Sequence, residues 1–348
     1  MSLGPLLVDV AGLALDAEDR ELLRHPLVGG VILFTRNYQD RAQLEALVKD
    51  IHGLREPRLL VTVDHEGGRV QRFRDGFTQL PPARLYGQIH DQDPKAALKF
   101  TELCGWLLAA ELRASDVDIS FAPVVDLDFG ASSVIGDRAF HADPRVVSEL
   151  TRAWILGMRR AGMAGCAKHF PGHGYVQGDS HLMLPVDPRA LETIRHKDMV
   201  PYQKLVNLDL PAVMMAHVVY EQVDADPASL SKRWIQQELR KGLRFEGAVF
   251  CDDLSMRGAE KAGDYLHRAV AALAAGCDML PVCNNRAGVT AILDGLKAKP
   301  DPQSLWRLTR LHGKESYSWQ ELRSSAGWQH AVQALEQYSS GHFRLSPG

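Results

Sequence analysis

Cysteine is scarce in this chain of 348 residues: there are five, odd in number, scattered and without a C-x-x-C pair. Neither a disulfide framework nor a zinc ribbon fits that pattern. Three of the five fall in apolar runs that read as strands and Cys283 directly follows one; a thiol there behaves as a small hydrophobe, and this usage suits a reducing compartment. A run of ~18 apolar residues is also missing, so no segment is expected to cross a membrane. The opening stretch MSLGPLLVDVAGLALDAEDR has no basic region, and Asp9 interrupts its apolar part. A signal peptide is therefore not expected, and the cytoplasm is the expected location. Charge of one sign is not in excess, since 40 Lys and Arg against 43 Asp and Glu leave a formal −3. That balance, without a block of like charge, argues against a nucleic-acid partner. With 45% hydrophobic and 24% charged residues, disorder is excluded, and a large core can form without disulfides or structural metal.

What the chain does have is alternation. Eight short apolar runs read as strands: PLLVDV (5–10), VGGVILF (28–34), RLLVTV (58–63), VDISFAPVVDL (117–127), GCAKHF (165–170), PAVMMAHVVY (211–220), GAVFCD (247–252) and CDMLPV (277–282). Most are continuously apolar, as strands buried on both faces are. Helical periodicity fills the intervals. It appears in 93–113 through Ala97, Phe100, Cys104, Leu107 and Leu108, and in 145–162 through Val147, Leu150, Trp154, Ile155 and Met158, with Gly162 as a stop. In 264–276 Asp264 is a natural N-cap and Gly276 a natural end. Eight buried strands, each followed by a helix, predict an α/β fold of the (β/α)₈ TIM-barrel type over residues 1–300. A doubly wound sheet is the alternative, but no G-x-G-x-x-G follows the first run. Residues 301–348 begin at a Pro-rich turn, hold Trp306, Trp319 and Trp328, and are expected to form a helical extension packed on the barrel.

In such barrels the chemistry sits at the carboxyl ends of the strands. Ionisable residues gather at those positions: Asp64, His65, Glu66, Arg69 and Arg72 after the third run; Asp137 and Arg138 after the fourth; Lys168, His169, His173, Asp179 and His181 after the fifth; His217 near the end of the sixth; Asp252 and Asp253 after the seventh. Each also has a plainer explanation. Asp252 could cap the following helix, and Asp253, one residue closer, is the more natural cap. Arg69 and Arg72 could be loop surface, His169 a satisfied structural group, and His173 a turn residue between glycines. Asp179 and His181 share a side only on extended backbone. There the carboxylate can hold one imidazole nitrogen and leave the other to give or take a proton near neutrality.

Together VDHEGGRVQRF, IGDRAFHADP, KHFPGHG with the trailing DSH, and FCDDLSM resemble glycoside hydrolase family 3, in its short bacterial β-N-acetylglucosaminidase branch. The order and spacing agree over about residues 5–285. The resemblance implies retaining exo-hydrolysis of terminal N-acetylglucosamine (GlcNAc) by a single barrel without metal or other cofactor. It further implies a small-molecule substrate, GlcNAc-1,6-anhydro-N-acetylmuramic acid with or without its peptide, in peptidoglycan recycling. No membrane or nucleic-acid partner is implied, and a monomer is expected. By the same resemblance Asp252 matches the nucleophile, His181 the general acid/base and Asp179 its orienting partner. Asp64, Arg72, Arg138, Lys168 and His169 match groups that hold the sugar. Two departures stand out, His65 where Gln is commoner and Cys251 where Ser or Thr usually precedes the nucleophile. Both are expected to tune activity without removing it.

Three other readings compete. A metallohydrolase could draw ligands from His169, His173, His181 and His217, although the H-x-x-x-H here crosses Pro171 and Gly172, so no helix presents the pair. A sugar-binding module without catalysis would not need both Asp252 and His181. Within the enzyme class, β-glucosidase or phosphorylase activity is the remaining alternative, since a neutral histidine tolerates incoming phosphate better than a carboxylate would.

Overall fold

Eight parallel strands follow one another around a barrel in a computed structural model that describes residues 3–178, 184–297, 301–314 and 317–339. They are β1 (Leu6–Val8), β2 (Val28–Leu33), β3 (Leu60–Val63), β4 (Ile119–Ser120), β5 (Ala164–Phe170), β6 (Ala212–Met215), β7 (Ala248–Phe250) and β8 (Leu280–Val282). Neighbours in the sheet are neighbours in sequence, and β1 pairs with β8 in register Leu6↔Leu280. The ring closes between β7 and β8, where Phe250 bridges Met279 and the Cys251 N–H donates to the Met279 carbonyl at 3.1 Å. Sequential order around a closed ring is the (β/α)₈ topology.

Alternation along the strands explains why the sequence runs are apolar throughout. Leu7, Ile32, Leu60, Ile119, Cys166, Met214 and Phe250 fill the barrel interior. Their neighbours Leu6, Val31, Val61, Ala167, Val213, Met215 and Val249 pack outward beneath the helices. Both faces are buried, so the period-2 signal is lost in the sequence. All five cysteines are buried and free.

The strands are shorter than the apolar runs. Of 117–127 only Ile119–Ser120 is regular strand, because Pro123 has no N–H to give to a ladder. The run 211–220 divides into β6 and a pair Val219–Tyr220 that joins Val186–Asp187 away from the barrel. The break falls around His217, whose buried ring contacts Ser229 Oγ (2.5 Å) and the Asp253 carbonyl (2.9 Å).

Six of the described helices begin on aspartate caps, among them Pro94–Ala114 on Asp93, Pro144–Arg160 on Asp143 and Tyr265–Ala275 on Asp264. Gly276 ends the last in the left-handed region at φ 113°. The first two lie backbone to backbone, since a Cβ on Gly105 would sit 2.4 Å from the Trp154 carbonyl oxygen. Past the eighth strand, helix Pro302–Thr309 crosses the amino-terminal end of the barrel, and Leu308 and Leu311 join Leu3 in the interior cluster. Further on, Trp319 Nε1 donates to Ser115 Oγ at 2.9 Å and Trp328 Nε1 to Glu111 Oε1 at 2.8 Å. No helix among the described residues is long and apolar enough to cross a membrane.

Candidate active site

The carboxyl ends of the strands surround a cavity of about 540 Å³. Its floor is the top of the barrel core, Ile32, Phe121 and Met214, and its walls carry Asp64, Glu66, Arg72, Arg138, Lys168, His169, His173, Asp252 and Asp253. Six residues singled out in the sequence, Asp64, Arg72, Arg138, Lys168, His169 and Asp252, thus come together from the ends of four different strands. Asp179 and His181 lie outside the described residues.

One wall is a chain of alternating charge. Lys168 Nζ lies 2.8 Å from Asp64 Oδ1 and 2.6 Å from Glu66 Oε1. Glu66 in turn receives Arg138 through two parallel bonds, from Nε and Nη2, both 2.8 Å. Arg72 Nη2 stands 3.8 Å from Asp64 Oδ2. Burial alone would raise the Glu66 carboxyl, but Arg138 and Lys168 outweigh it and hold it well below the usual carboxylate range. Burial would likewise lower the Lys168 ammonium, and Asp64 and Glu66 raise it instead. Glu66, Lys168 and Arg138 therefore keep their charges at neutral pH, in a low-dielectric setting where such bonds are strong.

The opposite wall is built on Asp126, which is fully buried. Its Oδ2 meets His169 Nδ1 at 2.7 Å, and its Oδ1 accepts the His173 N–H at 2.7 Å. Burial raises the Asp126 carboxyl, but His169 and His173 bring it below its ordinary value. The His173 imidazole is pushed down by burial and by His169. With Nδ1 held by Asp126, His169 has Nε2 as its remaining ring nitrogen, and the bond fixes the orientation of the ring.

The two adjacent aspartates after β7 have different surroundings. The Asp252 carboxylate accepts the N–H of Asp253 at 2.9 Å. The Asp253 carboxylate accepts from Ser255 N (2.9 Å) and Cys283 N (3.0 Å), tying this loop to the end of β8. Burial, reinforced by Asp252, pushes Asp253 up to about 6. Neither caps the following helix, which runs from Arg257 to Ala262 behind Met256 and has no side-chain cap. The expectation that Asp253 is the cap is corrected: its Oδ1 accepts from the loop and from the end of β8 instead.

His65 turns away from the cavity. Its ring packs 5.7 Å from Phe73 and 5.8 Å from Phe77, and burial with Arg72 and Arg74 lowers it to about 3. Cys251 is likewise in the outer layer of the core. Asp126 is the site residue that the sequence reading passed over, and Glu66, placed at a strand end there, was given no role. The spacing of Glu66 from Asp64 was a usable signal, because i and i+2 share one side of extended backbone. Asp126 ends the fourth apolar run, the place where barrel chemistry is expected. Among the described residues, no group of three or more His, Cys, Asp or Glu side chains is placed to hold a metal ion.

Comparison with known proteins agrees with this architecture. The model of the Glycosyl hydrolase family 3 N terminal domain matches residues 4–307. A beta-hexosaminidase of Thioalkalivibrio sulfidiphilus is 54% identical over 331 residues, 95% of either chain. A beta-hexosaminidase of Bordetella avium is 53% identical over 340 residues, 97% of either chain. The crystal structure of NagZ from Neisseria gonorrhoeae in complex with N-trifluoroacetyl-D-glucosamine superposes with a TM-score of 0.92 at 42% identity, covering 96% of this chain and 97% of that one. A family domain spanning the whole barrel, and relatives alike over nearly their full lengths, make this chain a glycoside hydrolase and a member of glycosyl hydrolase family 3.

Proposed function

We propose that this enzyme is a retaining exo-β-N-acetylhexosaminidase that removes terminal β-linked GlcNAc from GlcNAc-1,6-anhydro-N-acetylmuramic acid, with or without peptide, in cytoplasmic peptidoglycan recycling. The observation that carries the reading is Asp252 at the wall of a cavity whose other walls present fixed donors and a charged Asp64–Lys168–Glu66–Arg138 chain. The names of the relatives, and the N-acylated glucosamine in the complex with the gonococcal NagZ, support the substrate class.

In this mechanism Asp252 attacks C1 while His181, oriented by Asp179, protonates the departing oxygen. Water deprotonated by the now neutral His181 then releases GlcNAc with net retention. A histidine in the acid/base role departs from the usual carboxyl pair, which stands about 5–5.5 Å apart in retaining enzymes. Asp64, Arg72, Arg138, Lys168 and His169 hold the sugar hydroxyls, and those bonds that tighten as positive charge develops at C1 accelerate the reaction. The protein works as a monomer on a small molecule and needs no metal or other cofactor.

The test is turnover of 4-nitrophenyl β-GlcNAc beside the matching β-glucoside, each with and without EDTA and phosphate. Preference for the GlcNAc glycoside, unchanged by chelator and without sugar phosphate as product, is the expected result. Loss of activity to EDTA and its return with Zn²⁺ would put a metal-dependent hydrolase first.

A further inference from the structure

Glu66 has no role in the scheme above, yet it is buried on the cavity wall and touches two of the cations assigned to the sugar. We infer that Glu66 is a positioning residue that fixes the Arg138 guanidinium and the Lys168 ammonium so that only a few of their N–H groups remain for substrate. The inference rests on the reading that this cavity holds the terminal sugar.

The argument is a count of donors. A guanidinium has five N–H bonds and an ammonium three. Glu66 takes Nε–H and one Nη2–H of Arg138, and the Val134 carbonyl takes one Nη1–H at 3.2 Å. Asp64 and Glu66 take one N–H each from Lys168. Five less three leaves Arg138 two N–H groups, and three less two leaves Lys168 one. A flexible lysine and a long arginine are thus reduced to three donors of set direction. Two parallel bonds from one carboxylate fix the plane of the guanidinium, which a single contact would leave free to rotate. Without the carboxylate, two buried cations would repel each other and swing toward whatever acceptor is nearest.

The arrangement also explains the choice of Glu in place of a neutral acceptor. Arg72, Lys168 and Arg138 with Asp64 alone would leave this wall strongly cationic beside Asp252. Such a field would stabilise the free nucleophile and oppose the positive charge that builds at C1. Glu66 returns the wall to near balance while leaving directed donors in place.

The test compares wild type with Glu66→Gln on 4-nitrophenyl β-GlcNAc, after the wild type has been shown to turn that substrate over; an inactive wild type would sink the functional reading and this inference with it, whereas the outcomes below sink the inference alone. Misplacing a binding group by about 1 Å can cost ~10²-fold. KM should therefore rise by roughly 10–10² while kcat falls less. A role confined to folding would lower the active fraction, and so kcat, at unchanged KM. Unpaired buried cations are expected to weaken the fold of Glu66→Gln. The double variant Glu66→Gln/Arg138→Met removes one of them, and its KM should exceed that of Arg138→Met by clearly less than the Glu66→Gln factor, because only the contact to Lys168 is left to lose. A wild-type KM in Glu66→Gln, a loss confined to kcat, or a double variant whose KM exceeds that of Arg138→Met by the full single-variant factor would each overturn the inference.

Discussion

At the amino-terminal end of the barrel, Asp118 accepts from Val61 N (2.9 Å), Gly313 N (2.9 Å), Arg58 (3.0 Å) and His52 (3.2 Å). Asp278 there accepts from Ser304 Oγ (2.5 Å), Val249 N (2.8 Å), Arg240 (2.8 Å) and Arg307 (3.1 Å). These carboxylates are saturated by partners from distant parts of the chain, and they latch the segment that includes Leu308 and Leu311 across the barrel floor. At the carboxyl end, Asp64 shares its oxygens with Lys168 and a distant Arg72 and borders an open cavity, as does Asp252. The same residue type among the same cations thus does two jobs. Where every acceptor is filled from within, the group holds the fold; where the group borders the cavity, it can meet a ligand.

That contrast is broken or upheld most directly by removing one carboxylate from each end. Asp118→Ala should destabilise by ~3–5 kcal/mol, because the Val61 and Gly313 N–H groups lose their acceptor and the cluster of Arg58, Arg113 and His52 is left with Asp116 as its carboxylate. Its kcat at a temperature where it stays folded should be unchanged. Asp252→Asn should do the reverse, losing on the order of 10³-fold or more in kcat with a melting temperature close to wild type. Labelling with a 2-deoxy-2-fluoro glycoside, which has no acetamide to act in place of the enzyme, should mark Asp252 in peptide maps. A label on Asp253, or a large stability loss in Asp252→Asn, would erase the distinction between the two ends.

A smaller and more selective effect is expected from His181. General acid catalysis contributes ~10²–10⁴-fold, and only where the leaving group needs the proton. His181→Ala should nearly abolish cleavage of the natural disaccharide while sparing the glycosylation step for dinitrophenyl glycosides. Azide should then restore turnover and give a β-glycosyl azide. Asp179→Asn should show a milder version. Equal losses for all leaving groups, without azide product, would move the acid/base role to His173.

Most of the barrel was legible because strands buried on both faces are continuously apolar and the caps at Asp264 and Gly276 have local causes. The strand lengths were not read: Pro123, with no N–H, was a local signal for the end of one ladder, whereas the break at His217 depends on Ser229 and Asp253 from other parts of the chain. The site was legible as a cluster at strand ends, and the resemblance named its members. Asp126 escaped because its partners, His169 and His173, arrive from a strand over forty residues away. The bottom latch escaped for the same reason: Asp118 and Gly313 are joined only by tertiary folding, and no periodicity in residues 301–348 points to them.

The mildest test concerns His65, which shares a strand end with Asp64 but faces the aromatic cluster. In the unfolded chain this imidazole takes a proton near pH 6.5, whereas in the fold, burial beside Arg72 and Arg74 delays that step to about 3. Between those values the unfolded state binds the extra proton, so acid favours unfolding. Stability that is complete above pH 6.5 is then lost as pH falls toward about 3, at a slope no steeper than ~1.4 kcal/mol per unit. His65→Gln has no such proton to bind. In urea titrations its stability should fall less than that of the wild type between pH 6 and 4, and the two should run parallel above pH 7. Because the ring does not line the cavity, kcat/KM at pH 8 should change by no more than a few-fold. Parallel acid limbs would mean that His65 is protonated within the fold. A large loss of activity at pH 8 would mean that this side chain belongs to the site after all, and the boundary drawn between cavity wall and aromatic core would have to move.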